Sequence, residues 1–592
     1  MDLTKTLGSI LTVLALALAG CSEKPESTAP ATNQPAPGAS TSAAESADFV
    51  FTNGKVYTVD KENSWAQAVA VRGDEIVYVG DDAGAKAMVG ENTKEIDLDG
   101  KLMLPGFVEG HFHSITPGVM LRGVNLQSES MEELLGKLKE YAEANPDLEQ
   151  IHGWGVRPNL YGGKQPTAAM LDKIESERPV FLWQVDGHSA WANSKALEMA
   201  GITKDTKDPV PDVAYFVRDD EGNPTGYIVE VPAVLQILNA LQDIDYDYVK
   251  EGVAQWYPEY SKAGITAYHD YGLGFLSNDD AVRLMKELEK EGTLTTRFYG
   301  SYYWNDANID PVPIAKKWRD ENRTGLVQFN ALKINMDGDD DKYSALLVGG
   351  YSDKPDAAPK PIIPFDVIND VAVRADKEQL HLICHCFGDL AVRKFLDTVE
   401  LAKEKNPEWD RRPVASHAIL VHPEDYPRFK ELNATYDTSG QWMALDPYTG
   451  NITPERIGPE RMNRLFPIKA ILEAGGNVSL GSDFPAAAYI SDFRPLNAIT
   501  QAVTRQMLGK PDMPILGGED MRLTVGQAIR ANTYGAAYGI GVEDKIGSIE
   551  VGKKADLIVL DQNLFEIDPH DIYKANVTFT MMGGEVRYRG DQ

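Results

Sequence analysis

The chain has 592 residues, is 43% hydrophobic and 25% charged, and carries a formal net charge of −31. Its apolar content excludes a disordered chain, and its length accommodates two to four domains or one large α/β barrel with attachments. The acidic balance argues against nucleic-acid binding, which calls for a basic patch, and against electrostatic docking on anionic membrane.

Residues 1–21 read as targeting sequence rather than fold. Lys5 gives a basic start, weakened by Asp2, and residues 7–19 form an apolar stretch too short to span a membrane comfortably. The stretch ends in "LAGC", residues 18–21, which resembles the lipobox of bacterial lipoproteins, where cleavage precedes a cysteine that becomes lipid-modified. An ordinary secretory signal with an incidental cysteine is the alternative. Residues 22–48 are rich in Pro, Ser, Thr and Ala without hydrophobic period, and read as a flexible linker. The expectation is an exported lipoprotein, facing the periplasm or anchored at the outer membrane, that meets membrane only through its N-terminal lipid. Cys384 and Cys386, the only other cysteines, sit too close on one strand to bridge each other without strain, so no disulfide framework is expected.

Residues 49–104 alternate apolar and polar positions in short runs divided by Asn-Gly, Gly-Asp and Asp-Gly turns, the pattern of strands. The C-terminal stretch 545–592 has the same style, which predicts one small β-domain, a sandwich, built from both ends of the chain. Between them, residues 105–544 alternate apolar strands with helical segments. Eight strands that end in polar or Gly residues can be read: "LPGFVEGHFH" (104–113), "GITAYHDYG" (264–272), "LTTRFYGSYYW" (294–304), "QFNALKINMDG" (328–338), "QLHLICHCFGD" (379–389), "RPVASHA" (412–418), "ATYDTSGQ" (434–441) and "NVSLGSDFP" (477–485). Eight such units make a (β/α)8, TIM-like barrel, in which chemistry collects at the C-terminal strand ends. The stretch of about 115–263 after the first strand is too long for a loop and reads as an inserted subdomain.

His111 and His113 lie two apart on the first strand and so share one face. That pair alone is as compatible with two half-exposed histidines as with a metal site. The other strand ends decide between them: Lys333 on the fourth, His385 on the fifth, His417 on the sixth and Asp483 on the eighth fall at comparable positions. Barrel closure brings all six to one mouth, and scattered core histidines have no reason to respect strand ends.

"PGFVEGHFHS" resembles the first-strand motif of the metal-dependent amidohydrolase superfamily. "HGWGVRP" (152–158), "DGHSAWANSKAL" (186–197), "PTGYIVE" (224–230), "LKINMDG" (332–338), "HCFGDLAV" (385–392), "GSDFP" (481–485) and "GSIEVGKKADLIVLD" (547–561) narrow the resemblance to amidohydrolase family 3, the YtcJ-like branch with N-substituted formamide deformylases. The resemblance implies two divalent metal ions, with zinc expected and iron, manganese or cobalt also suited. It implies that His111, His113 and Asp483 hold the more buried ion and that His385 and His417 hold the second. It further implies that a CO2-derived carbamate on Lys333 would bridge the two. On the same resemblance Asp483 would be the catalytic proton carrier. The chain departs from the pattern at Glu109, where relatives usually have Asp, and at Trp442, where many have Pro after Gln441.

The implied activity is hydrolysis of a C–N amide-type bond of a small molecule, N-acyl, N-formyl or related. Rival readings are an ester or lactone hydrolase on the same bimetal site and a non-catalytic envelope regulator of exoenzyme production. Candidate substrate contacts are Trp154, His188 and Trp191 in the insertion, with Trp183 as a further aromatic, and His269 and Asp270 at the second strand end. Packed aromatic clusters and a structural His–Asp pair explain those residues equally well. Cys384 and Cys386 should pack outward from the barrel, away from His385. No nucleic-acid partner is expected, and a homodimer is left open.

Overall fold

The computed structural model describes residues 46–590 except 162–164, 210, 212–213, 243, 341–342, 362, 448, 451–452, 488 and 490. The lipobox at 18–21 and nearly all of the 22–48 linker lie outside the described residues.

All eight barrel strands expected from the sequence are present: β1 (Phe107–Phe112), β2 (Ile265–Asp270), β3 (Arg297–Trp304), β4 (Val327–Asn335), β5 (His381–Cys386), β6 (Val414–His417), β7 (Thr435–Ser439) and β8 (Asn477–Gly481). They pair in chain order, each parallel to the next. The circle closes just past β8, where Asp483 N donates to His111 O (2.9 Å) and His113 N to Phe484 O (3.2 Å). Closure therefore joins the segment that carries Asp483 directly to the one that carries both first-strand histidines.

Helices wrap the sheet because their sequences bury one stripe and begin and end on capping residues. Asn278–Glu291 is an example: the Ser277 hydroxyl accepts from Asp280 N, and Gly292 closes the last turn in the left-handed region at φ 74°. Its buried Ala281, Leu284, Met285 and Leu288 recur at helical spacing. Each buried leucine contributes about 1.5–3 kcal/mol by leaving water.

Two smaller sheets lie outside the barrel strands at the chain ends. A four-stranded sheet comprises Phe49–Thr52, Ala68–Arg72, Glu75–Gly80 and Lys94–Asp97. A six-stranded one joins Lys55–Tyr57, Trp65–Ala66 and Leu102–Pro105 to Leu557–Leu560, Val577–Met582 and Glu585–Arg589. Phe51, Val69, Met103, Leu557 and Met581 make their shared apolar core. Between β1 and β2 another six-stranded sheet, from Val124–Asn125 through Pro224–Val229, forms with its own core around Leu134, Leu138, Leu182 and Trp191.

Cys384 and Cys386 are both free and fully buried, packed in the large apolar cluster of the barrel and its helices.

Candidate metal centre

The C-terminal ends of β1, β6 and β8 bring His111, His417 and Asp483 together. One ligand atom from each lies within 4.8 Å of the others, the geometry of a metal-binding group. Asp483 Oδ1 stands 3.0 Å from His111 Nε2 and 3.2 Å from His113 Nε2, while its Oδ2 is 3.8 Å from His417 Nδ1. The His385 ring follows next, 4.3 Å from that of His417 between centroids. Its Nε2 is buried with no hydrogen-bond partner among the described residues. Lys333, 4% exposed, holds its Nζ 4.5 Å above the Tyr271 ring, and Tyr271 in turn packs 4.1 Å from the His111 ring. All six strand-end residues thus belong to one neighbourhood.

Two of these residues are held in strained backbone. His417 has φ 64° and Asp483 φ 57°, left-handed values that cost a side-chain-bearing residue on the order of 1–3 kcal/mol each. The surrounding barrel keeps them there, and the strain turns both side chains toward the shared centre.

The electrostatics follow from burial and mutual proximity. Burial alone would raise the Asp483 carboxyl, but the imidazoles of His111, His113 and His417 hold it well below its usual value. Burial disfavours protonated His113, yet Asp483 outweighs it and raises the imidazole. At His385 burial outweighs the pull of Asp483 and pushes the imidazole down to about 3, with Lys333 adding to the effect. Burial and His385 likewise hold His417 well below the ordinary imidazole value. Lys333 is lowered to about 8 by burial. Two imidazoles held neutral, His385 and His417, with a carboxylate and an amine that surrenders its proton easily, belong to a donor set suited to divalent metal rather than to water.

The remaining sequence candidates divide. Asp270 is fully buried and accepts from Ser114 N and Oγ (2.7 Å each) and from Gly272 N (2.9 Å), so it clamps the loop after β1 to the end of β2. His269 is 1% exposed, and its ring meets that of Tyr271 edge-on. His188 is half exposed and pairs through Nδ1 with Glu230 Oε2 at 2.9 Å. Trp154 is partly buried against the large apolar cluster. The structure does not bring Trp191 to the mouth: it is fully buried in the core of the insertion, and its Nε1 donates to Thr167 O at 3.0 Å. Trp183 is likewise buried, against Phe181.

Three residues near the ligands escaped sequence reasoning. Ser416 Oγ lies 2.8 Å from His111 Nδ1, and Asp437 Oδ2 lies 3.6 Å from the same nitrogen. Tyr271 has been described above. Only Asp437 left a signal, a carboxylic acid in the middle of a strand. Of the two departures, Glu109 is completely buried under β8, accepts from Ser482 N and Oγ, and is raised by burial to about 8. Trp442 stacks on the His417 ring, 5.7 Å between centroids and 3° from parallel.

A family model described as the amidohydrolase family matches residues 94–588. This chain belongs to the amidohydrolase family. It is an enzyme of carbon–nitrogen bonds, and the cluster at the barrel mouth is its candidate metal site. The exoenzymes regulatory protein AepA of Pectobacterium carotovorum subsp. carotovorum is 30% identical over 71% of this chain and 90% of its own. The N-substituted formamide deformylase of Arthrobacter pascens is 26% identical over 91% of this chain and 98% of its own. Among solved structures, an uncharacterized metal-dependent hydrolase from Pyrococcus horikoshii OT3 shares the fold, with a TM-score of 0.68 at 23% identity over 88% of this chain and 99% of that one.

Proposed function

We propose that this amidohydrolase cleaves an N-acyl or N-formyl amine, using two divalent ions held by His111, His113, Lys333, His385, His417 and Asp483. The observation that carries the reading is the convergence of His111, His417 and Asp483 ligand atoms within 4.8 Å at one barrel mouth. The unpartnered, buried His385 Nε2 supports a further ligand position beside them. Zinc suits a histidine-rich donor set, and two such ions supply an acidified water and a polarised scissile carbonyl.

The chain's own residues do the rest. Lys333, buried among these donors, becomes a ligand by adding CO2 to its neutral amine, which forms an N–C bond, releases one proton and leaves an anionic carbamate. Asp483 takes the proton from the attacking water on a carboxylate oxygen and delivers it to the departing amine nitrogen, as general base and then general acid. Its histidine neighbours keep its carboxyl ionised, the form a general base requires. Trp442 walls the mouth beside His417, and His188 with Glu230 offers a polar contact from the insertion.

The decisive experiment is metal analysis of residues 22–592 beside the same protein with Lys333→Ala, both assayed on a panel of N-acyl amines, N-formyl amines and matched esters. About two equivalents in the wild type, fewer in the variant and turnover on amides sustain the reading. Faster turnover of the esters points to the rival hydrolase. Near-zero metal in folded protein after reconstitution with zinc and bicarbonate removes the mechanism. We also propose, on "LAGC", that Cys21 anchors the enzyme in the cell envelope; labelled fatty acid that persists in Cys21→Ala overturns this.

A further inference from the structure

His111 has two faces. Its Nε2 looks at Asp483, 3.0 Å away, on the side where the metal ligands converge. Its Nδ1 looks the other way, at Ser416 Oγ (2.8 Å) and at Asp437 Oδ2 (3.6 Å), which come from β6 and β7. Asp437 is completely buried, and neither of its oxygens has a hydrogen-bond partner among the described residues. The barrel makes room for it deliberately. A Cβ on Gly110, the residue just before His111, would lie 2.9 Å from Asp437 Oδ1 and 2.0 Å from Ser479 Oγ. Only glycine lets that carboxyl reach under β1.

A buried carboxyl without hydrogen bonds costs stability, so packing gives no reason for it. The imidazole beside it does. A neutral histidine that binds metal through Nε2 must carry its proton on Nδ1. Ser416 does not settle this, because a hydroxyl either donates or accepts. A carboxyl oxygen aimed at a ring nitrogen is an acceptor for an N–H there, so its place 3.6 Å from Nδ1 favours the proton on that side.

We propose that Asp437, facing Nδ1 directly beside Ser416, is the positioning residue for His111: it holds the proton on Nδ1 and thereby turns Nε2 to the metal. The inference rests on the reading of His111 as a ligand. Histidine–metal pairs backed by a carboxylate are a general device for fixing ring orientation and raising ligand basicity.

The test compares wild type, Asp437→Asn and Asp437→Ala, each stripped of metal. Zinc affinity is read by competition with a chromophoric chelator, the visible spectrum is read after cobalt loading, and unfolding temperature is read without metal. The expected result is a zinc affinity about 10–100-fold lower in both variants, an altered cobalt spectrum, and a metal-free unfolding temperature no lower than wild type. A merely structural Asp437 would give the reverse, lowered metal-free stability with unchanged spectrum and affinity, and that outcome overturns the proposal. If the alanine variant does not fold, the asparagine variant, of the same shape, carries the measurement. Zinc bound by wild type and held within twofold by Asp437→Asn refutes the role of Asp437 alone; no zinc on wild type refutes His111 as a ligand and both readings with it.

Discussion

In the sheets built from the two chain ends, the buried side chains are apolar and touch one another: Phe51, Val69, Met103, Leu557 and Met581 fill the space between strands. At the barrel mouth the buried side chains are His111, Lys333, His417, Asp437 and Asp483. There the backbone is left-handed at His417 and Asp483, and polar atoms of His385 and Asp437 go without partners among the described residues. Both regions are equally shielded from water, so burial alone does not separate structure from chemistry. What separates them is whether the buried groups satisfy each other. The end sheets spend their burial on stability; the mouth holds strain and unpaired polarity that the rest of the barrel has to offset.

The largest expected effect therefore comes from the mouth and falls on rate. Asp483→Asn removes the carboxylate that three histidines surround, and turnover should fall by at least about 10³-fold while circular dichroism shows an intact fold. Residual turnover within tenfold of wild type would break the contrast, because a residue in left-handed backbone shared by three histidines would then be dispensable. The end sheets should give the mirror image. Leu557→Ala opens a cavity in their core and should cost about 2–5 kcal/mol in denaturant unfolding, with kcat of the folded enzyme unchanged. A loss of kcat at full folding would mean the two regions are coupled.

A subtler separation is visible in pH. Without metal, His385 and His417 stay neutral in the folded chain far below the ordinary imidazole value, His385 to about 3. Unfolded, the same rings take up protons from about pH 6.5 downward. The unfolded state then binds more protons than the folded one, so stability falls as pH falls through that window. Asp483 adds its own loss at still lower pH, since its folded proton affinity is depressed. His113 has the opposite sign: raised in the folded state, it stabilises below its unfolded value and loses that contribution as pH rises through its folded one. The expectation is that metal-free protein becomes less stable from pH 6.5 to 4, and that His385→Gln makes the slope shallower by about one proton. An unchanged slope would mean that His385 is solvated rather than sealed among the ligands.

How much of this was legible in the sequence depends on how far each signal reaches. The barrel strands were readable because an apolar run that stops at a polar residue is local information, and all eight appear within a few residues of their expected ends. The strand-tip histidines, Lys333 and Asp483 were readable for the same reason, once eight strands supplied a common frame. Trp191 was not. An aromatic in an insertion looks the same in sequence whether it faces a ligand or donates to Thr167 O inside its own core. Asp270 presented the same ambiguity, and its three hydrogen bonds from Ser114 and Gly272 assign it to holding the loop after β1. Asp437 and Ser416 were the least legible, since their meaning lies in His111 on a strand that only barrel closure brings near.

His188 offers the smallest and most discriminating measurement. It belongs to neither kind of region: half exposed, it is held by Glu230, whose backbone is itself left-handed at φ 67°, and by Asp186, which accepts from His188 N at 2.9 Å. The turn is tied to the segment after β8, where Ala487 N donates to Val185 O, so it stands beside the chain that carries Asp483. The role proposed for a residue placed there is to hold substrate rather than to transfer protons or bind metal. His188→Ala should raise KM by roughly 3–10-fold, about one modest hydrogen bond, with kcat within about twofold and metal content unchanged. A fall in kcat at constant KM would move His188 into the reaction itself. An unchanged KM would leave Trp442 and the barrel loops as the walls of the site and make the insertion a scaffold, which would draw the boundary between chemistry and structure at the strand ends alone.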